Sequence, residues 1–263
     1  MIIGIMSSNR TFLIVSLIFA ILSIVGCDSE TDEISFNFKP CEENNLDECF
    51  RNIMELSLLE YKNGNEALGI PPLEPLEVSK QKGNYSGVNG IEVSIVVENT
   101  KIYGLTDVKI EKMRTSINEK GLRAVMEVYL PRVEATGNYK ANIKLNDFKI
   151  RPKGIFNVII SDSHNINKVT AEFENIDGKK FLNIKNVTID PTIGEIKFNA
   201  TGIFDDPALN EVAVQLANRY LPNFYKLIIQ ESQFVWEPLI VAASNNFFKR
   251  VSFDKFFISE SKN

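Results

Sequence analysis

From about Gly90 to Phe204 apolar and polar side chains alternate with a period of two. The clearest stretch is Arg132–Asn146. Val133, Ala135, Gly137, Tyr139, Ala141, Ile143 and Leu145 fall on one face there; Arg132, Glu134, Thr136, Asn138, Lys140, Asn142, Lys144 and Asn146 fall on the other. Successive strand side chains point to opposite sides of a sheet, so this pattern predicts a long strand buried on one face. Val93, Ile95 and Val97 alternate with Glu92, Ser94 and Glu98 in the same way, with Val96 breaking the polar side. Ile196, Phe198, Ala200, Gly202 and Phe204 do so with Glu195, Lys197, Asn199 and Thr201. Turn-forming clusters at Asn118–Gly121, Lys153-Gly154, Ser161–Asn165, Asp177-Gly178 and Pro191–Gly194 divide the region into a meander of roughly eight long strands. A sheet with one apolar face must cover that face with another layer.

The period changes to helical at both ends. Leu46–Tyr61 places Phe50, Ile53, Met54, Leu56, Leu58 and Tyr61 on an apolar side, with Asp47 and Glu48 in the first turn, and it stops at Asn63-Gly64-Asn65. The prolines of Ile70–Leu76 push their predecessors into extended backbone and exclude a continuous helix there. Asp206 and Pro207 open the last helix in cap-then-proline order. Leu209, Ala213, Leu216, Tyr220, Phe224, Leu227 and Ile228 follow at helical spacing, Pro222 predicts a kink, and Pro238 a bend or restart. Most of Leu209–Phe248 is apolar on more than one side, which predicts burial nearly all round. The expected class is α+β: a long, strongly curved antiparallel sheet wrapped around a long C-terminal helix, with a short N-terminal helix. With no linker or repeat, residues 28–263 read as one domain.

Residues 1–27 read as a cleaved secretory signal peptide. Arg10 is their only charge, Thr11–Gly26 is continuously apolar, and Gly26-Cys27-Asp28-Ser29 supplies small residues at the end. The run is short for a membrane span and no basic cluster follows it. Ile24-Val25-Gly26-Cys27 also fits a lipoprotein cleavage site that would lipidate Cys27, whereas the sequons Asn84-Tyr85-Ser86, Asn186-Val187-Thr188 and Asn199-Ala200-Thr201 favour a eukaryotic secretory route with glycans on Asn84, Asn186 and Asn199. Removing residues 1–27 leaves 28 basic against 34 acidic side chains, a net of −6. That balance disfavours nucleic acid and anionic membranes, which need clustered Lys and Arg. Cys41 and Cys49 remain as an even pair in an oxidising compartment and are expected to form a disulfide.

Candidate chemistry is sparse. His164 is the only histidine and falls in a polar segment expected to be a turn; no G-x-S-x-G elbow accompanies it. Asp205-Asp206 stand where a helix cap is needed, and Gly87-Val88-Asn89-Gly90 lacks the G-K-[ST] of a phosphate loop. Two thiols and one histidine do not make an ordinary zinc site. The expectation is a non-enzyme with no cofactor and no metal. Periodicity alone leaves a hollow core and a filled one equally open.

The chain resembles the insect juvenile-hormone-binding-protein and takeout family of secreted carriers. The resemblance rests on Cys41-x7-Cys49 opening the first helix and on Leu68-Gly69-Ile70-Pro71-Pro72-Leu73-Glu74-Pro75-Leu76. Ile102-Tyr103-Gly104-Leu105, and Pro131 followed by Gly137-Asn138-Tyr139, continue it in order. Arg151-Pro152-Lys153-Gly154 and Asn142 depart from the family pattern. The resemblance implies a super-roll of TULIP type, shared with larger lipid-transfer proteins, and a tunnel between sheet and helix for a terpenoid or fatty-acid-like ligand. The wall would then include Val93, Ile95, Val133, Ile143, Phe156, Phe173, Phe198, Phe224, Ile228 and Trp236, with Tyr139, Tyr129 and Tyr220 as polar groups. The expected protein is an extracellular monomeric carrier whose partner is a small hydrophobic molecule and whose receptor is unknown, with no stable membrane insertion. The alternative is a secreted signalling or interaction protein of the same fold, its core filled, acting through its surface.

Overall fold

The computed structural model describes residues 38–86 and 91–258; the side chains at 85, 91, 145, 224, 227–236 and 239 lie outside that description. The expected signal segment 1–27 therefore also lies outside it. The described elements are β1 (Cys41–Glu42), α1 (Leu46–Glu60), β2 (Leu76–Val78), β3 (Gln81–Ser86), β4 (Ile91–Tyr103), β5 (Lys109–Asn118), β6 (Gly121–Leu145), β7 (Phe148–Ile150), β8 (Lys153–Ile176), β9 (Lys179–Ala200), α2 (Pro207–Phe248) and β10 (Phe257–Ile258). One eight-stranded sheet follows the order β2-β4-β6-β8-β9, with β3 beside β4 and both β5 and β7 beside β6. All its pairings are antiparallel. β1 and β10 form a separate parallel pair.

Between Ile91 and Ala200 the described strands are six, β4 to β9, where roughly eight were expected of this region: Lys153-Gly154 opens β8, and two other expected breaks lie inside strands. Ser161–Asn165 lies inside the 24 residues of β8 and Pro191–Gly194 inside the 22 of β9. The two segments pair with each other, Ser161 opposite Glu195, His164 opposite Thr192 and Asn165 opposite Pro191. Asp162 takes a left-handed φ of 52°. The same register sets Asp162 between Pro131 of β6 and Gly194 of β9. A Cβ on Gly194 would lie 2.9 Å from the Asp162 Cβ, so glycine is needed there.

Along this line all three strands change face. In β6 the buried positions are even from Leu122 to Leu130 and odd from Val133. In β8 they pass from Phe156, Val158 and Ile160 to Ser163, Asn165 and Asn167. In β9 they pass from Val187 and Ile189 to Ala200. An irregular residue in a ladder bends the strand and re-aims its side chains. The breaks at Asn118–Gly121 and Asp177-Gly178 are hairpins as expected, the second with φ of 50° and 78°, the signature of a tight two-residue turn.

Both helices form where their patterns place them. α1 is tethered by the Cys41–Cys49 disulfide. Two carboxylates bolt it to β5, Asp47 accepting from the Thr115 N–H at 2.5 Å and Glu55 from the Ile110 N–H at 2.8 Å. Asp206 caps α2 by accepting from the Leu209 N–H at 2.9 Å. The helix then continues through Pro222 and Pro238 for 42 residues without a restart. Asn210, Asn218, Tyr225, Glu237 and Asn245 hydrogen-bond to β9 or the residues just after it. Burial nearly all round is not what the first half of α2 shows. Leu209, Val212, Leu216 and Tyr220 are about half exposed, because this part of the helix turns its asparagines to the strand.

The proline segment ends in an anchor. Glu74 accepts hydrogen bonds from the N–H groups of Gly104 and Thr106, both at 2.9 Å, and from the Thr106 hydroxyl. This ties 70–76 to the turn between β4 and β5 and buries Leu68, Leu73 and Leu105.

Asn245 spans the backbone of Ile184, Oδ1 accepting from its N–H at 2.6 Å and Nδ2 donating to its carbonyl at 2.9 Å. Asn245→Leu should lower the unfolding free energy by about 2 kcal/mol, because both edge groups lose their partner. Urea denaturation measures this; a loss under about 0.5 kcal/mol, the size of a neutral surface change, would mean the helix does not secure the edge.

Candidate functional site

A cavity of about 220 Å³ lies between α1, the end of α2 and one half of the sheet. Its floor alternates inward from four strands: Ile110 and Met113 of β5, Leu122, Ala124, Met126 and Val128 of β6, Asn167 and Val169 of β8, and Leu182 and Ile184 of β9. Phe50, Ile53, Met54, Leu58 and Tyr61 of α1 close one side, Ile70 and Leu73 of the proline segment another. Ser244, Phe247 and Phe248 of α2 complete it with Phe38 and Phe256, whose rings stack at a centroid distance of 5.8 Å. Phe247 and Phe248 each meet Phe256, at 6.0 and 6.1 Å. Among the described residues no Asp, Glu, Lys, Arg or His lines the space. Burial, with Glu60 adding, pushes the Tyr61 phenol above its ordinary range, so the described lining is uncharged at neutral pH.

The polar side chains of the described lining are the hydroxyls of Ser57, Tyr61 and Ser244 and the carboxamide of Asn167. Asn167 stands apart from the hydroxyls. It is fully buried on the inward face of β8, opposite Met126 of β6 and Ile189 of β9. Neither its Nδ2 nor its Oδ1 has a hydrogen-bond partner among the described residues. Its neighbour on that face, Asn165, accepts from the Ser163 hydroxyl at 3.0 Å but leaves its Nδ2 unmet. Leaving a buried amide unsatisfied costs about 1–3 kcal/mol per group. That cost sits in a wall that is otherwise almost entirely carbon.

The residues expected to line a ligand site fall elsewhere. Val133, Tyr139 and Phe156 are buried, and Ile95, Ile143, Phe173 and Phe198 are half-buried against the same core. Val93 is half-buried on β4. None of these lines the cavity. Apart from Phe173 they lie beyond the Pro131–Asp162–Gly194 line, on the other half of the sheet. Phe173 packs on Phe253 at 4.9 Å under the Lys180 ammonium. The Tyr139 hydroxyl donates to the Thr201 carbonyl at 2.9 Å, and burial raises its pKa. Tyr129 donates to Asp162 on the outer face, and Tyr220, expected to turn inward, is 52% exposed. The side chains of Phe224, Ile228 and Trp236 lie outside the described residues.

His164 is exposed on a strand rather than in a turn, its ring tilted by 33° against Tyr129 at 4.8 Å and 3.5 Å from Glu111. Asn84, Asn186 and Asn199 are all exposed, and Asn186 donates to Glu237. Among the described residues no cluster of His, Cys, Asp and Glu could hold a metal. No helix among them is long and apolar enough to cross a membrane. Asn167 was not legible as a site residue because Ser161–Asn165 read as a turn. The inward phase of Val169 and Ala171, carried two and four residues back, would have placed it.

The sequence pattern of one family, described as Haemolymph juvenile hormone binding protein (JHBP), matches residues 17–258. Among solved structures, the crystal structure of Epiphyas postvittana Takeout 1 superposes with a TM-score of 0.62 at 16% identity, covering 84% of this chain and 99% of that one. At that identity the likeness is one of fold. Lipopolysaccharide binding protein aligns at 12% identity over 75% of this chain and 36% of that one, with a TM-score of 0.33 that supports no conclusion. No curated protein sequence matches significantly.

Asn167→Leu, close in volume, should raise the unfolding free energy of the ligand-free protein by about 1–2 kcal/mol, since it removes two unsatisfied groups from an apolar wall. A fall in thermal and urea stability would show that the amide is satisfied in the folded chain.

Proposed function

The chain belongs to the haemolymph juvenile hormone binding protein family, and from that premise we propose that it is a secreted, monomeric, non-catalytic carrier of a small hydrophobic molecule. The observation that supports this reading most is the uncharged cavity floored by Met126, Val128, Val169 and Ile184 and bordered by Phe38, Phe247, Phe248 and Phe256. A terpenoid or fatty-acid-like guest suits such a lining. Its size is constrained: 220 Å³ exceeds the roughly 150 Å³ cavity that holds benzene and falls short of the roughly 300–1,000 Å³ of drug-sized pockets.

Burying about 300 Å² of guest surface at about 25 cal/mol/Å² gives roughly 7 kcal/mol before the cost of association. Affinities near micromolar, about 8 kcal/mol, would need most of the guest enclosed and a polar contact besides. Secretion is supported by the apolar segment at 1–27 and by the paired Cys41 and Cys49, and glycans on Asn84, Asn186 and Asn199 would project from exposed positions. A second reading, in which the outer surface meets a receptor, draws on the half-exposed apolar row Leu209, Val212, Leu216 and Tyr220 on α2.

Ala124 is buried in the cavity floor, and a larger side chain there would grow into the free space. Ala124→Phe should weaken binding of the fluorescent probe N-phenyl-1-naphthylamine at least about tenfold, or about 1.4 kcal/mol, with the circular-dichroism spectrum retained. Unchanged probe affinity in a folded variant would exclude this cavity as the site and shift weight to the surface reading.

A further inference from the structure

Asn167 is, among the described residues, the one cavity-lining residue that has unmet buried hydrogen-bonding atoms. Among the described residues the other unmet buried side-chain atoms belong to Thr100, Thr115 and Asn165, and none of these three lines the cavity. A primary carboxamide offers two N–H donors and one carbonyl acceptor. With both ends free, Asn167 complements a guest group that accepts from Nδ2 and donates to Oδ1. Its neighbours on the floor, Met126 opposite on β6 and Val169 on the same strand, offer such a group no partner; the other polar side chains of the described lining are the hydroxyls of Ser57, Tyr61 and Ser244, none of which has an unmet buried atom.

Resting on the carrier reading, we infer that the guest carries one uncharged hydroxyl-bearing head group, an alcohol or a protonated carboxylic acid, seated against Asn167. The hydrocarbon remainder lies against the apolar lining. A carboxylate anion is a poor fit, because no Lys, Arg or His among the described residues lines the space and an unpaired charge in an apolar site reverts to its neutral form. An ether or ester engages Nδ2 alone and strands Oδ1. A hydrocarbon strands both. The amide therefore selects by the hydrogen atom of the head group, a property that apolar area alone cannot supply.

The test uses the purified full chain and three guests with the same number of heavy atoms: 1-decanol, its acceptor-only isomer 1-methoxynonane, and the apolar isostere 1-fluorodecane. Each displaces N-phenyl-1-naphthylamine, followed by fluorescence. Desolvation by itself favours 1-fluorodecane, so a preference for the alcohol must come from the wall. The wild type is expected to bind 1-decanol about tenfold tighter than 1-fluorodecane, equivalent to about 1.4 kcal/mol, with 1-methoxynonane between. In Asn167→Leu the advantage of the alcohol falls below about twofold while 1-fluorodecane binding holds or strengthens. Decanoic acid should bind the wild type more tightly as pH falls toward its own pKa, and 1-decanol should not change.

Equal binding of the three guests by the wild type, or an alcohol preference that survives in Asn167→Leu, overturns this inference and leaves the carrier reading standing. Displacement by none of them overturns the carrier reading and this inference together. A readout independent of the variant is the side-chain amide NMR signal of Asn167 in the wild type. It should move on addition of 1-decanol and not of 1-fluorodecane; a signal unmoved by the alcohol defeats the inference whether or not the leucine variant folds.

Discussion

The free edges of a long antiparallel sheet are the constraint on which this molecule turns. An edge strand presents a row of unpaired N–H and C=O groups, and a sheet that leaves them bare pairs with other chains. Here two helices supply the missing partners through side chains. α1 offers the carboxylates of Asp47 and Glu55 to the N–H groups of Thr115 and Ile110 on β5. α2 offers Asn218 to Phe198 and Asn245 to Ile184 on β9, each amide donating and accepting as a neighbouring strand would. Each carboxamide answers both polar groups of one residue, which explains why a helix otherwise rich in apolar side chains carries asparagines along the face it turns to the strand.

The cavity follows from that edge protection. Helices fixed to β5 and β9 stand at opposite margins of the inner face, and the aromatic side chains of Phe50, Phe247, Phe248 and Phe256 reach in from the margins. The floor between them is made of medium-sized side chains such as Ala124, Val128 and Val169, which leave room. Filling that room with protein would need larger floor residues or a closer approach of the helices, and the edge hydrogen bonds oppose the second. Asn167 fits the same logic: a buried amide without a partner is a stability cost in the empty protein and a recognition element in an occupied one.

Much of the fold was legible in the alternation. The inward face of Val133 to Ala141, the inward set of Ile196, Phe198 and Ala200, the boundaries of α1 and the Asp206 cap all stand as the patterns indicate. The disulfide follows from parity and compartment. The site was less legible. Val93, Ile95 and Ile143 were natural candidates because apolar alternation marks them as inward, but inward residues line a packed region and a hollow one alike. Asn167 carries the opposite sign: it is polar and closely follows Ser161–Asn165, the segment that read as a turn.

By itself the sequence determined the elements, their inward faces, the cysteine pair and the absence of familiar catalytic motifs, because these depend on periodicity and composition within one segment. Only the tertiary structure decided that Ser161–Asn165 and Pro191–Gly194 are one bent crossing of three strands rather than two turns. The reason is that residues favouring left-handed or irregular backbone suit a bulge as well as a hairpin, and only the partner strand tells them apart. It decided likewise where the space lies, since a cavity is what four strands and two helices fail to fill together and no single segment records it.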